Sequence, residues 1–152
     1  QYKKPIKQFA QHLGIAFQIL NDLKDWTGDA DNKLTAGTDV LGKRPTLLWA
    51  LALESLPTDE QKEFLDLFEN GPPTETLVAR VSELYREADV FHKAAQLVDK
   101  YQQRAEDIAE NIRPESFRRL LYYLIDTVLY RGNPTLPETP VIEISANAIP
   151  QT

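Results

Sequence analysis

The sequence predicts an all-α fold, an antiparallel helix bundle, and two observations carry that expectation. Apolar residues recur on a 3.6-residue period through most of the chain, and nothing in it reads as a pair of alternating strands joined by a hairpin turn. The punctuation agrees, because Pro5, Thr74 and Pro114 stand where helices would begin and Gly71-Pro72-Pro73 stands where one must end.

Taken in order, the first helix spans about residues 6–25. Ile6, Phe9, Ala10, Leu13, Ile15, Ala16, Phe17, Ile19, Leu20 and Leu23 cover roughly 220° of its circumference at 100° per residue. A surface helix has a much narrower stripe, so this one is expected to be buried on most sides. Residues 26–42 read as a long loop rich in Gly and Asp, and loops of that length in compact domains are usually functional or disordered. A second helix follows from about Pro45 through Leu47, Leu48, Trp49, Leu51, Ala52 and Leu53. Thr58-Asp59-Glu60-Gln61 has cap-like character and opens a short amphipathic helix to about Asn70. Thr74 caps a stretch running to about Asn111, with a bend near residues 87–90 where the apolar face shifts. Pro114 starts a last helix through Phe117, Leu121, Ile125 and Leu129. The total is about five or six helices. Residues 1–131 form the helical domain, and residues 132–152, which hold Pro134, Pro137, Pro140 and Pro150, are expected to be a loosely ordered tail.

Composition narrows the function classes. The chain has 152 residues and a net charge of -6, so its overall field does not draw it to nucleic acid or anionic lipid. It has no cysteine, which excludes disulfides and thiolate metal sites, and no apolar run long enough to span a membrane. With no signal-peptide pattern, a cytoplasmic location is expected. It also lacks methionine and opens on Gln1-Tyr2-Lys3-Lys4, so the expectation is a piece of a longer polypeptide.

One narrow polar sector interrupts the first helix. Gly14, Gln18, Asn21, Asp22 and Asp25 fall within about 100° of arc, and Gln18, Asp22 and Asp25 stack at i, i+4, i+7. Paired carboxylates on a helix usually belong to a solvated face. Solvated faces, however, are wide and rich in Lys and Glu, whereas this one is narrow and built of short Asp and Asn. Two acids near a helix C-terminus also oppose the macrodipole, so something should compensate them. A hard cation suits these oxygen donors, and Mg²⁺ held by one or two carboxylates shares its remaining positions with water and substrate phosphate. Lys33, and Lys43-Arg44 after Gly42, supply positive charge for a phosphate beside it.

The remaining polar residues point elsewhere. His12 and His92 have no partner at ligand spacing and read as structural. Trp49 reads as core, Tyr122, Tyr123 and Tyr130 as a mixture of core and interface, and Arg118-Arg119 as helix surface. Serine-hydrolase and nucleotide-loop patterns are absent.

The stretch GIAFQILNDLKDWTGD followed by GTDVLGKRPTLLWALAL resembles the C-terminal half of the trans-isoprenyl diphosphate synthases, or polyprenyl synthetases. Their second aspartate-rich motif, F-Q-x-x-D-D-x-x-D, stands here as Phe17, Gln18, Asn21, Asp22 and Asp25, followed by Gly28, Asp29, Gly37, Asp39, Gly42, Lys43 and Thr46. The resemblance implies the C-terminal part of the isoprenoid (terpenoid) synthase fold, and a Mg²⁺-dependent prenyltransferase that condenses isopentenyl diphosphate with an allylic diphosphate into linear products. It implies that Asp22 and Asp25, and in place of an acid Asn21, lie at Mg²⁺, that Phe17 and Gln18 lie beside the allylic substrate, and that Lys43, with Lys33 second to it, meets the diphosphate. Gln18 and Lys43 are then the catalytic candidates. A homodimer is also implied, as is a facing half that carries a first aspartate-rich motif. Asp59, Asp66, Asp89, Asp99 and Asp107 sit in charge-rich stretches and do not replace that motif, so this chain alone is expected to be inactive. The loop GTDVLGK is one residue shorter than the family spacing. With Asn21, it motivates a second reading, a non-catalytic partner of a true synthase. A terpene cyclase-like relative is a third, opposed by the Phe-Gln pair before the acids and the lysine loop after them.

Overall fold

A computed structural model describes residues 2–27 and 36–130. Among them are seven α-helices and no strand: α1 (Lys3–Thr27), α2 (Thr38–Leu41), α3 (Leu47–Ser55), α4 (Thr58–Asn70), α5 (Glu75–Glu87), α6 (Val90–Glu110) and α7 (Glu115–Val128). Lys33, the loop glycine and acid at positions 28 and 29, and the tail from 132 onward lie outside the described residues.

The most extensive packing is between α1 and α6. They run antiparallel, because His12 meets Tyr101 at a ring separation of 5.8 Å while Trp26, near the other end of α1, meets Phe91 at 5.8 Å. Both helices follow the 3.6 period. α1 buries Phe9, Leu13, Ala16, Ile19 and Leu20, and α6 buries Val90, Ala94, Val98, Ala105 and Ala109 along one face. α3 lies against α6 and also touches α4 and α5, and α7 folds back on α6. Phe64, Tyr85, Leu48 and Val81 fill the space where α3, α4 and α5 meet.

Three expectations change. The stretch 74–111 is two helices, not one bent helix. α5 stops at Glu87, Ala88 is its C-terminal cap, and Asp89 takes a left-handed conformation (φ 55°) before α6 starts. A left-handed residue cannot sit inside a right-handed helix, so the chain changes direction there while the apolar period continues on both sides. The loop expected over 26–42 is shorter at both ends, since α1 runs to Thr27 and α2 occupies 38–41. α1 is buried on fewer sides than its apolar arc implies. Ala10, Gly14, Phe17 and Asn21, spaced by four, three and four, form an exposed line, with Phe17 42% accessible. The cap of α5 is where it was expected, with the Thr74 hydroxyl accepting from Leu77 N–H at 3.3 Å. α4 instead begins at Thr58 behind Pro57, with no side-chain cap.

No helix among the described residues is long and apolar enough to cross a membrane.

Candidate functional site

The polar sector of α1 is divided: Gly14, Gln18 and Asn21 are exposed, while the two acids turn inward. Asp22 is only 6% accessible and is the one buried charged residue of the described core, and Asp25 is half-buried. The 3.6 period lines up Gln18, Asp22 and Asp25 as expected, and Gln18 Nε2 donates to Asp22 Oδ1 at 3.0 Å. Asn21 and Phe17 point to the exposed side.

What compensates the two acids is backbone. Asp22 Oδ2 accepts from Leu47 N–H at 3.3 Å, the first residue of α3. Asp25 Oδ1 accepts from Thr38 N–H at 3.2 Å and from the Thr38 hydroxyl, and Asp25 Oδ2 accepts from Asp39 N–H at 3.0 Å. Each carboxylate therefore caps the start of another helix. The N-terminal N–H groups of a helix have no partner within it and carry partial positive charge, so they attract an acid strongly. α2 needs this help, because its own cap position is Gly37, which has no side chain to offer. Gly37 is fixed by geometry. Its φ is 77°, and a Cβ there would lie 2.6 Å from Val78 Cγ1. Gly37 N–H also donates to Asp25 backbone O at 3.0 Å, so the chain returns from the loop directly onto the end of α1.

Asp39 joins the two acids from the start of α2. Burial raises its pKa, the nearby Asp25 raises it further, Arg44 pulls it down, and Asp22 adds to the rise. Arg44 Nε lies 3.0 Å from Asp39 Oδ1, and Arg44 N–H donates to Asp39 backbone O at 2.8 Å, closing the 39–44 turn. Beneath the acids sits Tyr85, 1% accessible. Burial pushes its hydroxyl far above the ordinary range, Thr46 beside it pulls the other way, and Asp39, Asp22 and Asp25 add to the rise. Thr46 is also the N-cap of α3, its hydroxyl accepting from Trp49 N–H at 3.4 Å.

Lys43 does not meet a carboxylate. Its backbone is left-handed (φ 51°), and its Nζ donates to Glu69 backbone O at 2.7 Å, near the C-terminal end of α4. His12 and His92 behave structurally: His12 stacks near Tyr101, and His92 pairs with Gln96 at 3.0 Å on the surface. Asp59, Asp66, Asp89, Asp99 and Asp107 are all exposed, as expected. Arg118 and Arg119 form ion pairs with Glu110 and Glu115.

The oxygen donors suit a hard cation in kind, and counting acceptor positions shows how many stay open. A carboxylate oxygen accepts about two hydrogen bonds. Counting donors from the described residues alone, Asp22 keeps one open position on each oxygen, whereas Asp25 has Oδ1 filled and one position left on Oδ2. Among the described residues no three His, Cys, Asp or Glu side chains gather closely enough to hold a metal by themselves. A cation at Asp22 and Asp25 would thus complete its shell from water, a phosphate or another segment.

The sequence reading passed over Thr38 and Tyr85, named Asp39 only as part of the motif, and gave Arg44 to a phosphate where the structure pairs it with Asp39. The glycine at position 37, followed by a hydroxyl and an acid, is the signal by which a helix start needing an outside cap could have been found.

The model of the polyprenyl synthetase family matches residues 1–87, more than half of the chain and all of this acidic region. The chain belongs to that family. The matched stretch is the N-terminal part of this chain, residues 1–87 of the 1–131 assigned to the family from sequence. Among curated relatives, a nonaprenyl diphosphate synthase specific for geranyl diphosphate, from Rhodobacter capsulatus, is 36% identical over 62 residues, 40% of this chain and 19% of the relative. The bifunctional chrysanthemol synthase of Tanacetum cinerariifolium is 40% identical over 86 residues, 56% of this chain and 21% of the relative. A short-chain isoprenyl diphosphate synthase from Methanocaldococcus jannaschii is 31% identical over 70 residues, 45% and 21%. The aligned stretches span about a fifth of these relatives. The crystal structure of a geranylgeranyl pyrophosphate synthetase from Pyrococcus horikoshii superposes with a TM-score of 0.75 at 23% identity, covering 86% of this chain and 40% of that one. That likeness gives the polyprenyl synthetase chain its architecture, the isoprenoid synthase helical fold.

Proposed function

We propose that the chain is part of a prenyltransferase that condenses isopentenyl diphosphate with an allylic diphosphate to make linear polyprenyl diphosphates. The observation that carries this reading is the family-matched acidic corner, where Asp22 and Asp25 are held rigidly at the end of α1 by N–H groups of α2 and α3. The remaining open acceptor positions of these two acids would hold Mg²⁺, and the ion, when bound, supplies charge that stabilises a departing diphosphate. Gln18, whose amide fixes Asp22 from one side, and Phe17, exposed on the same turn, would border the allylic substrate. Lys43 would reach the diphosphate by exchanging Glu69 O for a phosphate oxygen, a stronger charge-assisted partner. A facing segment with further acids completes the site, the working form is a homodimer in the cytoplasm, and the 152-residue chain alone is inactive.

The test is a condensation assay with labelled isopentenyl diphosphate and a series of allylic primers, on the chain together with the facing half. Mg²⁺-dependent product is expected. No product from any primer sinks the proposal, and turnover by the isolated chain removes the need for a facing half.

One observation favours a second reading, a non-catalytic partner of a prenyl diphosphate synthase. The acids kept by this chain are the two occupied as helix caps, and the exposed position of the motif is the neutral Asn21. Asn21→Asp separates the two. In a catalytic site, restoring an acid at the exposed position raises turnover about 10-fold or more, the scale of one well-placed charge; unchanged activity favours the partner role.

A further inference from the structure

We propose that Thr38 is a positioning residue that orients the Asp25 carboxylate. This rests on the reading of Asp25 as part of a Mg²⁺–diphosphate site. Thr38 approaches Asp25 Oδ1 with two donors, its backbone N–H at 3.2 Å and its hydroxyl. Together they take both acceptor positions of that oxygen, and Asp39 N–H takes one on Oδ2. Among the described residues the carboxylate is left with one open position, on Oδ2, the oxygen that would engage a cation. The N–H groups of Thr38 and Asp39 reach the two oxygens from one short turn of backbone, and the Thr38 hydroxyl adds the donor that comes from a side chain. The hydroxyl is the side-chain contact that fixes the plane. Outer partners of this kind set ligand orientation and change metal affinity by about 10- to 100-fold when removed.

Two variants of the 152-residue chain separate this role from ordinary packing. Thr38→Val keeps the shape and loses the hydroxyl, and Thr38→Ser keeps the hydroxyl and loses the methyl. The probes are Mn²⁺, as a magnetic stand-in for Mg²⁺, with and without inorganic pyrophosphate, and amide hydrogen exchange without metal. Thr38→Val is expected to weaken Mn²⁺–pyrophosphate binding about 10- to 100-fold, and Thr38→Ser to restore it to near wild type. Thr38→Val is also expected to speed amide exchange at Asp39, and Thr38→Ser is not. Equal affinity in wild type and Thr38→Val overturns the proposal, as does equal loss in both variants, because then the methyl matters and the hydroxyl does not. If the wild-type chain alone binds no Mn²⁺–pyrophosphate, the same titration with the facing half present decides the metal reading of Asp25, and the exchange arm still decides the hydroxyl. Unchanged exchange at Asp39 in Thr38→Val shows that the hydroxyl does not hold the carboxylate.

Discussion

Removing the Asp25 side chain strands the N–H groups of Thr38 and Asp39 and the Thr38 hydroxyl at one half-buried spot. An unsatisfied buried donor costs roughly 1–3 kcal/mol, and partial access to water places the total for Asp25→Ala near the middle, about 2 kcal/mol. Asp25→Asn keeps one acceptor oxygen and should recover about half of that. Urea unfolding of the two variants measures it; an Asp25→Ala midpoint equal to wild type would show that α2 does not depend on this cap. The comparison also makes Asn the right substitution for functional work, because Ala confounds a metal role with a structural one. Sequence periodicity disclosed that Gln18, Asp22 and Asp25 share a line, since that follows from 3.6 residues per turn. It did not disclose what they face. Their partners lie 13 to 25 residues away, and only the return of the chain at Gly37 brings them back. The compensation of the acids was sought in a hard cation, with Lys33, Lys43 and Arg44 for its phosphate, but among the described residues it comes from peptide N–H groups, which every residue but proline carries and which no residue letter reveals.

The boundary between α5 and α6 illustrates the same limit for whole elements. Val81, Leu84 and Ala88 are buried before the break and Val90, Ala94 and Val98 after it, so the apolar pattern resumes after a two-residue step, which signalled a shift of face and not the end of a helix. A single left-handed residue, Asp89, re-aims the chain, and Asp tolerates that conformation without being diagnostic of it. Helix ends marked by a hydroxyl or a proline, at Thr74 and Pro114, were legible because the cap is local in sequence. The α4–α5 contact is held at the surface by Arg80, whose Nε and second guanidinium nitrogen reach Glu63 at 2.7 and 2.9 Å. The bond from Arg80 lowers the Glu63 pKa, with burial opposing and the Arg80 charge assisting. An acid whose folded pKa is lowered binds fewer protons in the folded state. Its contribution is therefore present above the ordinary value of 4.5 and is lost as pH falls through the lower, folded value. Thermal unfolding should place Glu63→Gln slightly below wild type at neutral pH, with the gap closing as pH falls below that ordinary value. A gap constant across the titration would mean that the pair contributes through shape alone. The effect is small in any case, because both side chains are a third or more exposed and salt screens them.

At the scale of the molecule, everything at the acidic corner hangs from α1, and α1 is held mainly by α6. The buried face of α6 is built of small residues, with Ala94, Ala105 and Ala109 fully inaccessible, and Ala16 of α1 is equally closed off. Small residues on such faces let helix backbones approach closely. The all-α class and this antiparallel core were legible, because burial over a long helix imposes its period on many residues at once. The degree of burial of α1 was not, since an apolar arc says which side chains tolerate burial and not how many neighbours exist to cover them, as exposed Ala10 and Phe17 show. These two alanines of one helix give the last test. Ala16→Leu forces three extra carbons into a closed interface and should cost about 1–3 kcal/mol. Because α1 carries both capping acids, its displacement should loosen the starts of α2 and α3 together, so amide exchange at Asp39 and at Leu47 should accelerate in parallel. Ala10→Leu makes the same chemical change on the open face and should stay within about 0.5 kcal/mol of wild type. Faster exchange at Leu47 without any change at Asp39 would show that α2 and α3 are anchored independently of α1, and that the two carboxylates do not tie the corner into one unit.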